Sequence, residues 1–373
     1  MNMAKRKYSK MKKIQPAVET LTFDLGNVGV ATEDPGSIPG DQTYYIDLSQ
    51  VASIVNRRFY RQGINWAVAG MKFNSTAVVP GTTQPVSGAA PEGAVWVQKL
   101  PNTWILSNAW EKGFRAWRKM INEATSEAPS IKPKFLDFKI YMDEQHHLDG
   151  VSSNLMPVVP SSPVLIGAWQ RATPGEWDYS TYEIPVSNAD PTLPAGNSVT
   201  RDVVAVGGNY SSVGASGNYA VSLIDGYSSS RALPDIEDPN MPEDASSAAG
   251  STAQNWLTAL FNEGTTQDAN VITDLETQNS IAPYPFENDG VNTDTMYPGG
   301  PNQLNGLQLV ALENITGTTV GGVTYVKGSS FPCGLIRIDV QNTNQVLELN
   351  NILQIDLVPG DHRGYLCESM TEM

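Results

Sequence analysis

The residues with the most distinct chemical character lie at the amino terminus. Residues 1–13 contain six basic side chains, no acidic one and a single tyrosine. The candidate nucleic-acid-binding residues are Lys5, Arg6, Lys7, Tyr8, Lys10, Lys12 and Lys13. Lysine and arginine neutralise phosphates by displacing counterions, and tyrosine can stack on an unpaired base. The pattern favours a sequence-nonspecific contact with nucleic acid, although a nuclear address or a solubilising tail would have the same composition.

A second chemical candidate is Asp24 in the stretch Thr22–Val28 (TFDLGNV). This stretch resembles the nucleophile loop of haloacid-dehalogenase-type phosphatases, in which a carboxylate at a strand end attacks phosphorus. That family also needs a parallel α/β sheet, a downstream lysine and an acidic pair that binds magnesium. The sequence indicates neither such a sheet nor such a pair, so a strand ending in a Gly-Asn turn is the favoured interpretation.

Three further groups of residues have side chains that could form sites. Five potential metal ligands occur in seven residues: Asp143, Glu144, His146, His147 and Asp149. No second ligand group with matching spacing accompanies them, so a solvated loop is favoured and no metal or other cofactor is expected. His362 lies near Cys367, but no nucleophile signature surrounds either residue. The glycines at 207–209 and 214–217 lack the lysine of a phosphate cradle and predict turns. The chain is therefore not expected to be an enzyme.

Composition limits the class of protein. The chain has 373 residues, 17% of them charged, with 32 glycines and 25 prolines, which excludes a coiled coil and favours a turn-rich fold. The formal net charge of −15 is unevenly spread, because six of the 24 basic residues lie in 1–13. The remaining 18 basic residues stand against all 39 acidic ones, which leaves a charge of −21 outside the arm. The two cysteines, Cys333 and Cys367, are expected to be free thiols, although one bridge is possible. No apolar run is long enough to predict membrane insertion or a secretory signal.

Alternating apolar and polar residues predict about ten short strands. They cover 17–23, 64–73, 94–97, 135–142, 164–169, 179–186, 202–206, 307–312, 323–327, 335–340 and 346–357. Helices are expected at 48–58, at 108–128 and at 253–261, with Asp47 and Asn108 as the first two N-caps. The second helix should bury an aromatic stripe and expose Lys112, Arg115, Arg118 and Lys119 on its other side.

The strands do not alternate with helices, so the predicted fold class is all-β, an antiparallel β-sandwich. Long connections and a few short helices favour a jelly roll over an up-and-down barrel. Three regions are expected: a disordered basic arm at 1–13, a jelly-roll shell domain at 14–186 and 301–373, and an acidic, loop-rich insertion at 187–300. Residues 202–300 hold fourteen acidic residues and only one basic residue, Arg231.

Several stretches resemble capsid proteins of small circular Rep-encoding single-stranded DNA viruses. They are 3–10 (MAKRKYSK), 45–49 (YIDLS), 56–61 (NRRFYR), 100–104 (LPNTW), 110–112 (WEK), 135–138 (FLDF) and 358–365 (VPGDHRGY). The arm departs from the usual pattern of this family because it is short and rich in lysine rather than arginine.

The resemblance implies a subunit that assembles with copies of itself into an icosahedral shell, a virus-like particle or virion. The arm would face the single-stranded DNA genome inside and the acidic insertion would face outward, and the resemblance is compatible with a host receptor and with passage through the host nucleus. Two alternatives from other classes stay open. One is a ligand- or carbohydrate-binding β-sandwich with exposed tryptophan and tyrosine platforms, and the other is a phosphatase that uses Asp24.

Overall fold

The computed structural model describes residues 16–31, 40–132, 134–161, 169–185, 198–230, 256–261, 306–317 and 322–372, with a few positions between 268 and 278. The strands are β1 (Thr20–Val28), β2 (Asp41–Asp47), β3 (Ile64–Val78), β4 (Glu92–Lys99), β5 (Val158–Pro160), β6 (Trp169–Arg171), β7 (Thr181–Pro185), β8 (Ser198–Val204), β9 (Tyr219–Ser222), β10 (Gln308–Thr316), β11 (Val323–Phe331), β12 (Leu335–Asn342), β13 (Glu348–Leu357), β14 (Pro359–Gly360), β15 (Gly364–Tyr365) and β16 (Cys367–Ser369). The helices are α1 (Leu48–Asn56), α2 (Trp104–Ala124), α3 (Glu144–Asp149), α4 (Leu223–Ser229) and α5 (Trp256–Phe261).

Two antiparallel sheets form the body of the molecule and confirm the predicted all-β class. The first has the strand order β1-β13-β3-β11, with β16 also paired to β3. The second has the order β10-β4-β12-β2. Among the described strands, β8 and β9 form the one parallel pair, in a small separate sheet with β7.

The main core lies between the two sheets, where alternate side chains of each strand meet. Phe23, Phe73 and Leu353 of the first sheet are fully buried in the same cluster as Ile46 and Ile338 of the second. The period of two residues that is visible in the sequence of β12 and β13 therefore reflects one face turned to this core.

A helical layer covers the other face of the second sheet. Tyr45, which alternates with the core residue Ile46, belongs to a second apolar cluster together with Trp110 and Trp117 of α2. The aromatic stripe of this helix is thus confirmed. Its predicted start at Asn108 is wrong, because Thr103 is the N-cap and its hydroxyl oxygen accepts a hydrogen bond from the amide of Leu106 at 3.3 Å.

The layer belongs to a long insertion between two paired strands. β4 ends at Lys99 and β10 begins at Gln308, and these two residues are directly opposite in an antiparallel pair. The described residues between 100 and 307 therefore belong to an insertion whose two ends lie side by side at the edge of this strand pair.

The described part of 187–300 is more regular than the expected loop-rich segment. Within it, β8, β9, α4 and α5 contribute fully buried apolar side chains to the second cluster, among them Val203, Val221, Ile224 and Trp256. The apolar runs that form these elements are short and stand among many glycines and serines. The stretch at 135–142 is a second difference, because it forms no strand except an isolated bridge at Tyr141. Most of the strand predicted at 164–169 lies outside the described residues. In the described part of the chain, no helix combines the length and the apolarity that a membrane crossing requires.

Candidate nucleic-acid interface

The seven candidate residues of the arm, Lys5 to Lys13, lie outside the described residues, but the point at which the chain enters the body is described. The amide of Val18 donates a hydrogen bond to Asn56 Oδ1 at 3.0 Å, and the Tyr365 hydroxyl donates to the Val18 carbonyl at 2.7 Å. Arg58 Nη1 donates to the Pro16 carbonyl at 3.1 Å. Three hydrogen bonds therefore fix the root of the arm against the end of α1 and the carboxyl-terminal segment.

Three arginines lie on the segment that follows α1, and a fourth contacts this segment from the carboxyl-terminal part of the chain. Together they are called the arginine cluster: Arg57, Arg58, Arg61 and Arg363. Arg58 Nη1 donates to the Arg363 carbonyl at 3.5 Å, and the Tyr60 hydroxyl donates to the same oxygen at 3.0 Å. The Arg363 guanidinium in turn donates to the Phe59 carbonyl. The stretches NRRFYR and VPGDHRGY, which both resemble the capsid family, are therefore interlocked in space.

Two members of the arginine cluster have unusual backbone conformations. Arg57 has φ +53° and Arg363 has φ +52°, and Cys333 is the third non-glycine residue with positive φ among those described. The left-handed region costs an L-residue about 1 kcal/mol or more, and a glycine would avoid that cost. At Arg57 this conformation ends α1. Strained residues that are nevertheless arginine are a reason to look for function here.

The charges of the arginine cluster are only partly compensated within the described structure, by the attraction between Arg61 and Asp137. None of the four arginines forms an ion pair with a described residue; the ion pairs that occur join other side chains. Arg57, Arg61 and Arg363 are exposed and Arg58 is half-buried. The cluster therefore presents positive charge to solvent at the place where the basic arm begins, a surface suited to phosphates.

Gln62 holds the segment 57–61 in place from the inside. Its side-chain amide donates to Asp47 Oδ2 at 3.0 Å and to the Ile140 carbonyl at 3.1 Å, while its Oε1 accepts from the Ile140 amide at 2.6 Å. Its backbone amide donates to Asp137 Oδ2 at 3.1 Å. Asp47, the predicted N-cap of α1, is confirmed as such by the hydrogen bonds that it accepts from Ser49 and Gln50.

The prediction of a solvated loop at the histidine pair is wrong. His146 and His147 are fully buried on α3. His146 Nδ1 accepts from the Met142 amide at 3.0 Å, and its Nε2 lies 2.8 Å from Asn154 Oδ1. His147 Nε2 lies 3.1 Å from Asp202 Oδ2. These polar partners offset part of the cost of burying the two rings, although His147 Nδ1 has no hydrogen-bond partner among the described residues. The described residues contain no cluster of three or more side chains able to hold a metal ion.

Asp24 lies within β1, and the predicted end of the strand at a Gly-Asn turn is wrong, because β1 continues through Gly26 and Asn27 to Val28. Asp24 Oδ1 accepts a hydrogen bond from the Gly26 amide at 2.9 Å, and Gly26 has φ +75° at a bulge in β1. β1 pairs antiparallel with β13, so the parallel sheet that a haloacid-dehalogenase-type site requires is not formed around this carboxylate.

The other candidate groups are structural. Cys333 and Cys367 are free, as predicted, and burial raises the pKa of the Cys367 thiol to about 12, which leaves it protonated at neutral pH. The segments at 207–209 and 214–217 form bends and turns.

On α2, Lys112 donates to Ser230 Oγ at 2.7 Å, and burial lowers its pKa to about 8. Lys112 thus fixes α4 against α2 instead of facing solvent.

The arginine cluster was not among the residues assigned to binding from the sequence. The signal for it was three arginines in five residues, 57–61, without an acidic residue among them. No protein-family model, curated protein or solved structure matches this chain.

Proposed function

We propose that this chain is the capsid protein of a small circular single-stranded DNA virus, a shell subunit that binds its genome through a basic arm. The observation that carries the proposal is the nested pairing of the eight strands in the two main sheets. In chain order they are β1, β2, β3, β4, β10, β11, β12 and β13.

The first of these strands pairs with the last, the second with the seventh, the third with the sixth and the fourth with the fifth. Nested pairs of this kind arise when one long hairpin is wrapped around a common core, which is how a double-sheet jelly roll is built. Wrapping also places the eighth strand beside the third and the seventh beside the fourth, and both pairs occur. This pattern supports a jelly roll, a fold shared by viral capsid and lectin domains.

The basic amino terminus distinguishes the capsid hypothesis from other uses of such a fold. Six basic residues precede a body of charge −21, and the root of that arm is fixed beside four exposed or half-exposed arginines. A subunit with positive charge gathered at one place suits a shell whose one face meets nucleic acid while the acidic remainder keeps particles apart. Location in the virion follows from the same proposal, which is also compatible with assembly in the host nucleus.

The carbohydrate-binding alternative has little support in the described surface. Sugar platforms are built from exposed aromatic rings, but none of the eight tryptophans is exposed, and among the described tyrosines only Tyr325 is. Five of them are buried: Trp66, Trp110, Trp117, Trp177 and Trp256.

The proposal is tested by expressing the full chain and imaging the purified protein by electron microscopy across a range of salt concentration and pH. We expect closed particles of uniform size. Deletion of residues 2–13 should preserve the fold, measured by circular dichroism, and should lower the nucleic acid that co-purifies, measured by the ratio of absorbance at 260 and 280 nm. The absence of closed particles under every condition would overturn the proposal.

A further inference from the structure

An exposed aromatic pair lies beside the arginine cluster. The Phe135 side chain is 57% exposed, which is uncommon for a ring of this size on a soluble body. Its centroid lies 5.3 Å from that of Phe59, a half-buried ring, at an interplanar angle of 51°. Phe59 packs in turn on the buried Trp177 at 6.3 Å. The outer ring is therefore supported from below by two further rings.

Cations flank this aromatic pair. Lys134 Nζ lies 5.4 Å from the Phe135 centroid. Arg58 and Arg61 lie one and two positions from Phe59, and the Arg363 guanidinium donates to the Phe59 carbonyl. Lys139 Nζ lies 4.2 Å from the Trp177 centroid, beneath the pair.

Four acidic residues lie near the same surface and reduce its positive charge only partly: Asp47, Asp137, Asp178 and Asp361. Asp137 is half-buried, and one of its oxygens accepts from the Gln62 amide. Asp178 is exposed and attracts Lys139. Against them stand the four arginines of the cluster and Lys134, so positive charge prevails around the exposed ring.

We propose that Phe135, supported by Phe59, is a stacking platform for an unpaired base of single-stranded DNA, with Lys134 and Arg61 binding the phosphates on either side. Single-strand binders combine a positively charged track with aromatic rings in this way, because every base offers a π-face. The platform is linked to the root of the arm, since Arg363 contacts the Phe59 carbonyl and Arg58 contacts both Arg363 and Pro16. It rests on the proposed function for the identity of the nucleic acid and adds a site on the folded body to the arm.

The geometry of the platform is fixed before any ligand binds. The hydrogen bonds from Gln62 to Asp137 and Ile140 join the segment that carries Phe59 to the segment that carries Phe135. A ring held in this manner loses little conformational freedom when a base stacks on it, so more of the stacking energy contributes to affinity.

The test compares two oligonucleotides of equal length that carry the same phosphates, an oligo-dT strand and a strand of abasic sites. The affinity of the full chain for each strand is measured by fluorescence anisotropy. The affinity for oligo-dT is then divided by the affinity for the abasic strand, and this ratio cancels the contribution of the charges. We expect the wild-type ratio to fall about tenfold in Phe135→Ala, because stacking on one ring contributes about that factor. Phe135→Trp should restore it. Tyr325→Ala removes another exposed ring, 64% exposed on β11, and should leave the ratio unchanged.

An unchanged ratio in Phe135→Ala would overturn the platform. If that variant instead loses only the ability to form particles, Phe135 is a contact between copies of the chain and the proposal is equally wrong. If the wild-type chain forms no particles but the ratio still falls in Phe135→Ala, the platform stands and the capsid function fails.

Discussion

Burial shifts the ionisation of two residues near the interface in opposite senses. Burial raises the pKa of the Asp137 carboxyl to about 6, against smaller opposing effects of the hydrogen bond from the Gln62 amide and of the attraction to Lys139 and Arg61. Burial lowers the pKa of His146 to about 4, although hydrogen bonding to Asn154 opposes this shift. Near neutral pH the ionised, half-buried Asp137 therefore lowers the free energy of unfolding, whereas His146 is neutral and does not lower it.

The two shifts affect stability in opposite directions as the pH falls. For Asp137 the folded state binds its proton more tightly than the unfolded state, so its protonation adds stability from about pH 6 down to the ordinary value of 3.8. For His146 the unfolded state binds the proton more tightly, so stability is lost from pH 6.5 down to about 4. In the wild-type chain the two effects largely cancel.

We therefore expect Asp137→Asn to be more stable than the wild type at pH 7, by about 1–2 kcal/mol after allowance for partial exposure. Between pH 6.5 and 4 the variant should lose stability more steeply, because the cost of charging His146, about 3 kcal/mol at most, is no longer offset. Urea unfolding of the dilute chain at pH 7, 6, 5 and 4 measures both effects. Parallel pH profiles for the two proteins would contradict the assignment.

At the scale of elements, alternation predicts the strands well where one face meets the main core. It gives β12 and β13 to within a few residues, because their register is dictated by burial. It fails at 135–142, where the apolar residues alternate but two backbone amides donate hydrogen bonds to side chains rather than to a neighbouring strand. The Lys139 amide donates to Ser180 Oγ, and the Ile140 amide donates to Gln62 Oε1. At these two amides side chains take the place of a partner strand, and the positions of those side chains cannot be read from local sequence.

The start of α2 is a second case in which several residues could cap the helix. Thr103 and Asn108 are both good N-cap residues, and the fold uses the first of them. We expect Thr103→Ala to lower the free energy of unfolding by about 1 kcal/mol, because the amide of Leu106 loses its acceptor. Asn108→Ala is the matched control: Asn108 is exposed within the helix, where alanine has the higher propensity, so this change should be neutral or slightly stabilising. Chemical denaturation of both variants measures the difference, and a larger loss for Asn108→Ala would contradict the cap.

At the scale of the whole molecule, the candidate interface joins parts of the chain that are far apart in sequence. Arg58 and the Arg363 carbonyl are in contact across 305 positions. The sequence shows the arm and the three arginines at 57–61, but not that Arg363 joins them or that Phe135 stacks on Phe59. Those contacts depend on the path of β13 and on the insertion between β4 and β10, which no local pattern specifies. The fold class could thus be predicted, whereas most of the candidate interface could not.

The separation of charge leads to a quantitative prediction for nucleic-acid binding. If all six basic residues of 1–13 bind phosphates, the slope of log affinity against log salt concentration for single-stranded DNA should include about −4 from the arm. Deleting residues 2–13 should reduce the slope by about that amount and leave a smaller slope from the arginine cluster. Arg57→Gln and Arg61→Gln, introduced together into the deleted chain, should reduce the remaining slope by a further 1 to 2 units, because each phosphate that is no longer neutralised accounts for about 0.7. Binding titrations with an oligo-dT strand between 50 and 300 mM salt measure each slope, at protein concentrations too low for assembly. A slope that does not change when the arm is deleted would show that the arm binds no phosphate. The proposal that the genome is bound through the arm would then be wrong, and only the folded body could bind it.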